Sequence, residues 1–170
     1  MIELLLARHG ETDWNLAHRV QGHTDVPLNP AGLEQARALA ERLAGERLVS
    51  VYSSDLVRAR ETAAAVARAQ AVEVTVDPRL REKNFGSWEG LTDVEIVARF
   101  PDAVRGRWGD GETTEAVAER VIAVLERIRA SHSAGPVLVV SHGGPLRAIL
   151  DHLAVEHGPI GNCQVFRVDY

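Results

Sequence analysis

Residues 135–146 read Gly135-Pro136-Val137-Leu138-Val139-Val140-Ser141-His142-Gly143-Gly144-Pro145-Leu146. Four successive branched aliphatic residues, bounded by Gly-Pro on one side and a glycine pair on the other, describe a strand buried on both faces. Pro145 suits the first turn of a helix, where its missing N–H is not needed, and Leu146, Ile149, Leu150 and Leu153 follow at helical spacing. A doubly buried strand that feeds a helix is the unit of a parallel sheet covered by helices.

The pattern continues outward in both directions. Ile2 to Ala7 is a short apolar run ending in Arg8-His9-Gly10, which predicts a buried strand and a turn. The stretch through Trp14, Asn15, Gln21 and Gly22 predicts irregular chain. Asn29 as N-cap and Pro30 as first helical residue open a helix that turns Leu33, Ala36, Leu39, Ala40 and Leu43 inward before Gly45. Leu48 to Ser53 is a second strand, and Asp55 is the expected cap of a helix burying Leu56, Ala59, Ala63 and Val66. Val72 to Val76 alternates as a third strand, closed by Asp77-Pro78. Arg81 to Gly90, rich in Gly, Asn, Ser and Trp, predicts a functional loop, followed by a helix from Thr92 to Phe100 that ends before Pro101. A second loop over 106–111 precedes a helix with Val117, Val121, Val124, Leu125 and Ile128 on one stripe, and Val165 to Val168 is the last strand. Strands alternating with helices, without repeat or linker, predict one domain over residues 1–170 with helices on both faces of a mostly parallel sheet.

Composition narrows the class of activity. The chain has 170 residues, 45% hydrophobic and 25% charged, enough to bury roughly 70% of its unfolded surface. A net charge of −5 argues against a nucleic-acid surface, which needs a basic face, but leaves room for a small basic pocket. The single cysteine, Cys163, excludes an internal disulfide and a thiolate zinc cluster and is expected to be structural. The apolar runs are too short to cross a bilayer and Glu3 stands where a signal peptide wants positive charge, so no membrane partner and a cytoplasmic location are expected. Of the 19 basic residues only Lys83 is a lysine, and arginine is the better fork for a phosphate.

Three strands run into unusual residues. The first delivers Arg8, His9 and Gly10; the second leads through Ser53-Ser54-Asp55 to Arg58 and Arg60; the fourth delivers Ser141, His142, Gly143 and Gly144. Parallel strands bring these groups to one rim of the sheet, where such folds bind ligands. Two imidazoles, guanidiniums and a glycine-rich helix N-terminus facing one cleft suit a phosphoryl group.

Leu6-Ala7-Arg8-His9-Gly10-Glu11-Thr12 resembles the signature of the histidine phosphatase superfamily, the fold shared by cofactor-dependent phosphoglycerate mutases and many phosphatases. Ser53-Ser54-Asp55-Leu56-Val57-Arg58-Ala59-Arg60-Glu61-Thr62-Ala63 is similar to its second arginine motif, Leu80-Arg81-Glu82 to Gly90 to its acid-donor motif, and Val140-Ser141-His142-Gly143-Gly144 to its second histidine motif. The order of Trp14-Asn15, Gln21-Gly22 and Asp25 to Gly32 follows the family as well. The resemblance implies a three-layer α/β/α sandwich of the phosphoglycerate mutase type, its sheet mostly parallel with one antiparallel edge strand. It implies His9 as nucleophile through a covalent phosphohistidine, with Arg8, Arg58 and His142 holding the phosphoryl oxygens, Asn15 and Gly143 beside them, and Thr12, Gln21 and Gly22 as weaker substrate contacts. Glu82 is the candidate proton donor, with Glu11 and Glu89 as competitors. Neighbouring cations would keep His9 neutral, and a nearby backbone carbonyl is the candidate partner for its second ring nitrogen. No metal or other cofactor is expected, because arginines supply the charge.

A small-molecule phosphate ester is the expected partner, with the chain a monomer or homodimer. Mutases of this type resemble Arg-His-Tyr-Gly where this chain has Lys83-Asn84-Phe85-Gly86, and only 59 residues separate Glu82 from His142. An open cleft admits water to a phosphohistidine, so a phosphatase is preferred to a phosphoglycerate mutase. A serine hydrolase lacks its Gly-x-Ser-x-Gly elbow, and a binding-only module would lack His9 or Glu82. His18, His23, His132, His152 and His157 receive no role; Arg60 is expected to be a solvated helix charge, Phe85 and Trp88 to pack their loop. Trp14, Phe85, Trp88 and Trp108 are the residues that could select an apolar leaving group.

Overall fold

The structure is a computed structural model that describes residues 1–102 and 110–170. The loop expected over 106–111 lies outside the described residues except for Asp110 and Gly111, and so does Trp108. The elements are β1 (Glu3–Arg8), α1 (Asp13–Leu16), α2 (Pro30–Arg42), β2 (Ser50–Ser53), α3 (Val57–Gln70), β3 (Val74–Val76), α4 (Asp93–Arg99), α5 (Thr114–Ser131), β4 (Pro136–Ser141), α6 (Gly143–His152) and β5 (Val165–Asp169). The sheet runs β3-β2-β4-β1-β5, parallel throughout except for β5, which pairs antiparallel with β1 at the edge.

Side-chain alternation along the central strands builds the layers. Leu4 and Leu6 of β1 and Val137 and Val139 of β4 pack with Val121, Leu125 and Ile149 of α5 and α6. Leu5, Ala7, Leu138 and Val140 point the other way, onto Leu39, Ala63 and Val66 of α2 and α3. Helices on both faces explain why these strands read as continuous apolar runs.

Several expected boundaries shift for local reasons. The second strand begins at Ser50 rather than Leu48, because the Leu48 N–H goes to the Gln70 side chain. The third is three residues long: Ala71 closes α3 in the left-handed region and the Val72 N–H returns to Ala67 O, which keeps Val72 out of the ladder. Asp55 does not cap α3; Leu56 holds that place without a side-chain bond, while the Asp55 carboxylate takes the Arg81 guanidinium. Leu33 is exposed, since the phase of α2 turns Gly32, Ala36, Leu39 and Ala40 inward. The stretch expected to be irregular contains α1, which Thr12 and Asn15 start with a reciprocal capping box. Helix α6 begins at Gly143, two residues before Pro145.

The register aligns the chemistry. Arg8 sits opposite Ser141 and Ser53 opposite Val140, so β1, β4 and β2 all deliver their next residues to the same rim.

Candidate active site

His9 leaves β1 and is 2% exposed. Its Nδ1 lies 2.7 Å from Gly10 O. A carbonyl only accepts, so Nδ1 carries the proton and Nε2 keeps the lone pair. Burial first, then the Arg58 and Arg8 guanidiniums, hold its pKa well below the usual imidazole value. The carbonyl partner expected from the sequence is therefore that of the adjacent residue. Asn162 Nδ2 donates to His9 O at 2.9 Å, and Thr62 Oγ1 accepts from Gly10 N at 3.0 Å, so the turn is fixed from two further segments.

His142 follows β4 as the N-cap of α6 and is fully buried, its ring centroid 5.0 Å from that of His9. Nε2 is 2.7 Å from Ser54 Oγ, while Nδ1 is buried without a protein partner. Burial, followed by Arg58, His9 and Arg8, depresses this ring as well.

Arg58, in the first turn of α3, is fully buried. Its Nη2 donates to Gly22 O at 2.8 Å and its Nη1 to Thr24 O at 3.0 Å, and its Nε is buried without a partner. Burial pushes its pKa down to about 10, which leaves it charged at neutral pH. Arg8 is similar: Nη1 donates to Ile160 O at 2.7 Å and Nε is buried and unpaired. Among the described residues the buried, unpartnered side-chain polar atoms are Arg8 Nε, Arg58 Nε and His142 Nδ1. All three belong to residues that act on one another electrostatically around His9. Burying donors without partners is costly, and a tetrahedral oxyanion is the group that satisfies several at once.

Glu82 lies in the loop after β3, where its carboxylate accepts from Gly144 N at 3.1 and 3.2 Å and from Lys83 N at 2.8 Å. A Cβ on Gly144 would sit 2.3 Å from Glu82 Oε1, so that close approach requires glycine. The competitors are engaged elsewhere. Glu11 accepts from Asn29 Nδ2, and Glu89 accepts from His23 N, Thr24 N, Thr24 Oγ1 and Phe85 N. A cavity of about 750 Å³ opens in front of Arg8, Glu82, Gly143 and Gly144 and continues past Trp88 and Val117.

The other sequence candidates fare unevenly. Thr12 is buried, and its hydroxyl starts α1 and donates to Gln21 Oε1 at 2.8 Å. Gly22 takes φ +54°, and its carbonyl clamps Arg58. Asn15 Oδ1 accepts from Thr12 N and Asn162 Nδ2. Ser54, Thr62, Arg120 and Asn162 received no role from the sequence. Ser54 and Thr62 lie in the quoted arginine motif, whereas Arg120, which donates to Arg79 O, Arg81 O and Glu82 O, sits 38 residues from the glutamate it supports. Arg60 is exposed, and Trp88 packs with Leu91 and Ile96. Burial pushes the Cys163 thiol up to about 11. Among the described residues, no group of three or more His, Cys, Asp or Glu is placed to hold a metal ion, and no helix is long and apolar enough to cross a membrane.

Residues 4–170 match the family described as the histidine phosphatase superfamily, branch 1. A metal-independent phosphoserine phosphatase of Arabidopsis thaliana is 44% identical over 158 residues, which cover 86% of this chain and 66% of that protein. A probable phosphoglycerate mutase, GpmB, of Photorhabdus laumondii is 35% identical over all of this chain and 86% of its own length. The structure of a mycobacterial glucosyl-3-phosphoglycerate phosphatase in complex with VO3 superposes with a TM-score of 0.86 at 33% identity, covering 98% of this chain and 90% of that one. On this match and these identities, the chain is an enzyme of the histidine phosphatase superfamily, branch 1.

Proposed function

We propose that this phosphomonoesterase hydrolyses small-molecule phosphate esters through a phosphohistidine on His9, with Glu82 as proton donor and no metal. The observation that carries the reading is the trio of buried, unpartnered nitrogens, Arg8 Nε, Arg58 Nε and His142 Nδ1, gathered around a His9 whose own Nδ1 is held by Gly10 O. His9 Nε2 attacks phosphorus in line with the ester oxygen, forming the N–P bond as the O–P bond breaks. The leaving oxygen takes its proton from Glu82. Arg8, Arg58 and the Nδ1–H of His142 hold the three equatorial oxygens, with Asn15 and the Gly143 end of α6 nearby. Gly10 O keeps the proton on Nδ1 throughout. Glu82, now a carboxylate, then removes a proton from water, whose oxygen displaces His9 and releases inorganic phosphate.

The substrates named for the Arabidopsis and mycobacterial relatives are both phosphomonoesters of alcohols that bear a carboxylate. Esters of that class are the ones we assign to this chain, and Arg147, on the cavity wall, supplies a cation for the carboxylate. Trapping the enzyme during turnover of radiolabelled phosphoserine tests the scheme. An acid-labile, base-stable label is expected in the wild type and none in His9→Ala; label that persists in the variant removes His9 as nucleophile. Hydrolysis is expected to exceed any isomerisation of 3-phosphoglycerate in the presence of bisphosphoglycerate, and full activity is expected after exhaustive chelation.

A further inference from the structure

Arg58 and Glu82 belong to different elements, α3 and the loop after β3, and phosphoryl transfer with acid assistance needs them at a fixed separation. Residues 22–24 form a strap between them. The carbonyls of Gly22 and Thr24 accept both terminal nitrogens of Arg58, at 2.8 and 3.0 Å. His23, between these two, turns to the other side. Its N–H donates to Glu89 Oε1 at 2.9 Å, and its ring Nε2 lies 2.9 Å from the backbone oxygen of Glu82. Because that oxygen only accepts, His23 Nε2 carries the proton in this contact.

From these contacts we infer that His23 is a positioning residue, tying the loop that carries the proton donor to the strap that clamps the phosphate-binding arginine. The inference rests on the reading of Glu82 as proton donor. Glu82 O accepts from His23 Nε2 and from Arg120 Nη2, each at 2.9 Å, so both its lone pairs are engaged from different sides. That pair of bonds fixes the peptide from which the Glu82 side chain departs, while Gly144 N fixes the carboxylate end. The Arg58 clamp consists of backbone carbonyls alone, so it does not depend on which side chain residue 23 carries. What the imidazole adds is the link across to Glu82.

A loosened proton donor and a merely weakened fold have different kinetic signatures. Proton donation matters for an alkoxide leaving group and little for an activated aryl oxide. The test compares turnover of phosphoserine and of p-nitrophenyl phosphate, with inhibition by vanadate, in His23→Met, His23→Gln and Glu82→Gln. Methionine fills the space without a donor, and glutamine returns an N–H donor of shorter reach. The expected result for His23→Met is an alkyl-to-aryl rate ratio lowered about tenfold, with vanadate inhibition within about twofold of the wild type. His23→Gln is expected to recover most of the ratio. A ratio unchanged in His23→Met, or a loss shared equally by both substrates, while Glu82→Gln lowers the ratio, overturns the role of His23 alone. A ratio unchanged in Glu82→Gln overturns the assignment of the proton donor and the His23 inference with it.

Discussion

The rings of His9 and His142 lie 5.0 Å apart in a buried site flanked by two arginines, so neither imidazole is favoured as a cation in the folded protein. Both pKa values are lowered relative to the unfolded chain, in which histidine titrates near 6.5. Above that pH both states hold neutral rings and these groups add no pH dependence. As pH falls below it, the unfolded chain takes up protons that the folded site refuses, and stability is lost. The expected slope is about 1.4 kcal/mol per pH unit for each ring. Urea denaturation of the wild type and of His9→Ala between pH 7 and pH 5 checks this, with the variant expected to show the shallower dependence. Parallel curves would mean that His9 titrates normally.

Arg58 offers two of its nitrogens to Gly22 O and Thr24 O and has Nε left over. A lysine has one charged centre and cannot span both carbonyls while meeting a phosphoryl oxygen. Arg58→Lys is expected to lower kcat/KM by roughly 10²–10³ and to weaken vanadate inhibition in step, because both ligands use the same donors. Steady-state kinetics with a circular-dichroism check of folding measures it. Weak turnover with unchanged vanadate inhibition would place Arg58 away from the phosphoryl group.

The layers were legible in the sequence because the central strands are covered on both faces, which leaves runs such as Val137 to Val140 without ambiguity. Arg8, His9 and His142 were legible at the rim because each stands at or just past the end of such a run, whereas Arg58 comes five residues after β2, in the first turn of α3. Position in a motif failed where a hydrogen bond competed: Asp55 looks like a cap, yet the Arg81 guanidinium holds its carboxylate. Nor did the motifs show that the Thr12 hydroxyl donates to the Gln21 side chain nine residues on. His23, Arg120 and Asn162 were invisible for another reason. Each acts on a backbone carbonyl far along the chain, and no local pattern encodes a contact that only the fold creates.

Gly144 separates a tolerance set by packing from one set by chemistry. A Cβ there would meet Glu82 Oε1 at 2.3 Å, so Gly144→Ala must move the carboxylate or the start of α6. The expected outcome is a loss of roughly 10–10² in kcat for alkyl phosphates with stability changed by less than about 1 kcal/mol, because the atom displaced is the far end of the Glu82 side chain. Activated aryl phosphates should lose much less. Kinetics on the two ester types beside a thermal melt gives both numbers, and equal losses would argue that Glu82 does not donate the proton.

Ser54 Oγ is 2.7 Å from His142 Nε2, and both groups are fully buried. A hydroxyl that donates to Nε2 leaves the proton of the neutral ring on Nδ1, the nitrogen without a protein partner. Only in that tautomer does His142 present an N–H to a phosphoryl oxygen. Ser54→Ala removes the partner that enforces it and strands Nε2 in a dry site, at a cost of about 1–3 kcal/mol. We expect kcat/KM to fall about tenfold, the weakening that follows when one of several oxyanion donors is no longer held in place. Long-range 15N correlation spectra of the imidazoles should show one neutral tautomer of His142 in the wild type and a mixture in the variant. If the wild type already carries its proton on Nε2, Ser54 accepts rather than donates, and His142 cannot supply the third contact to the phosphoryl group without a change of tautomer on binding.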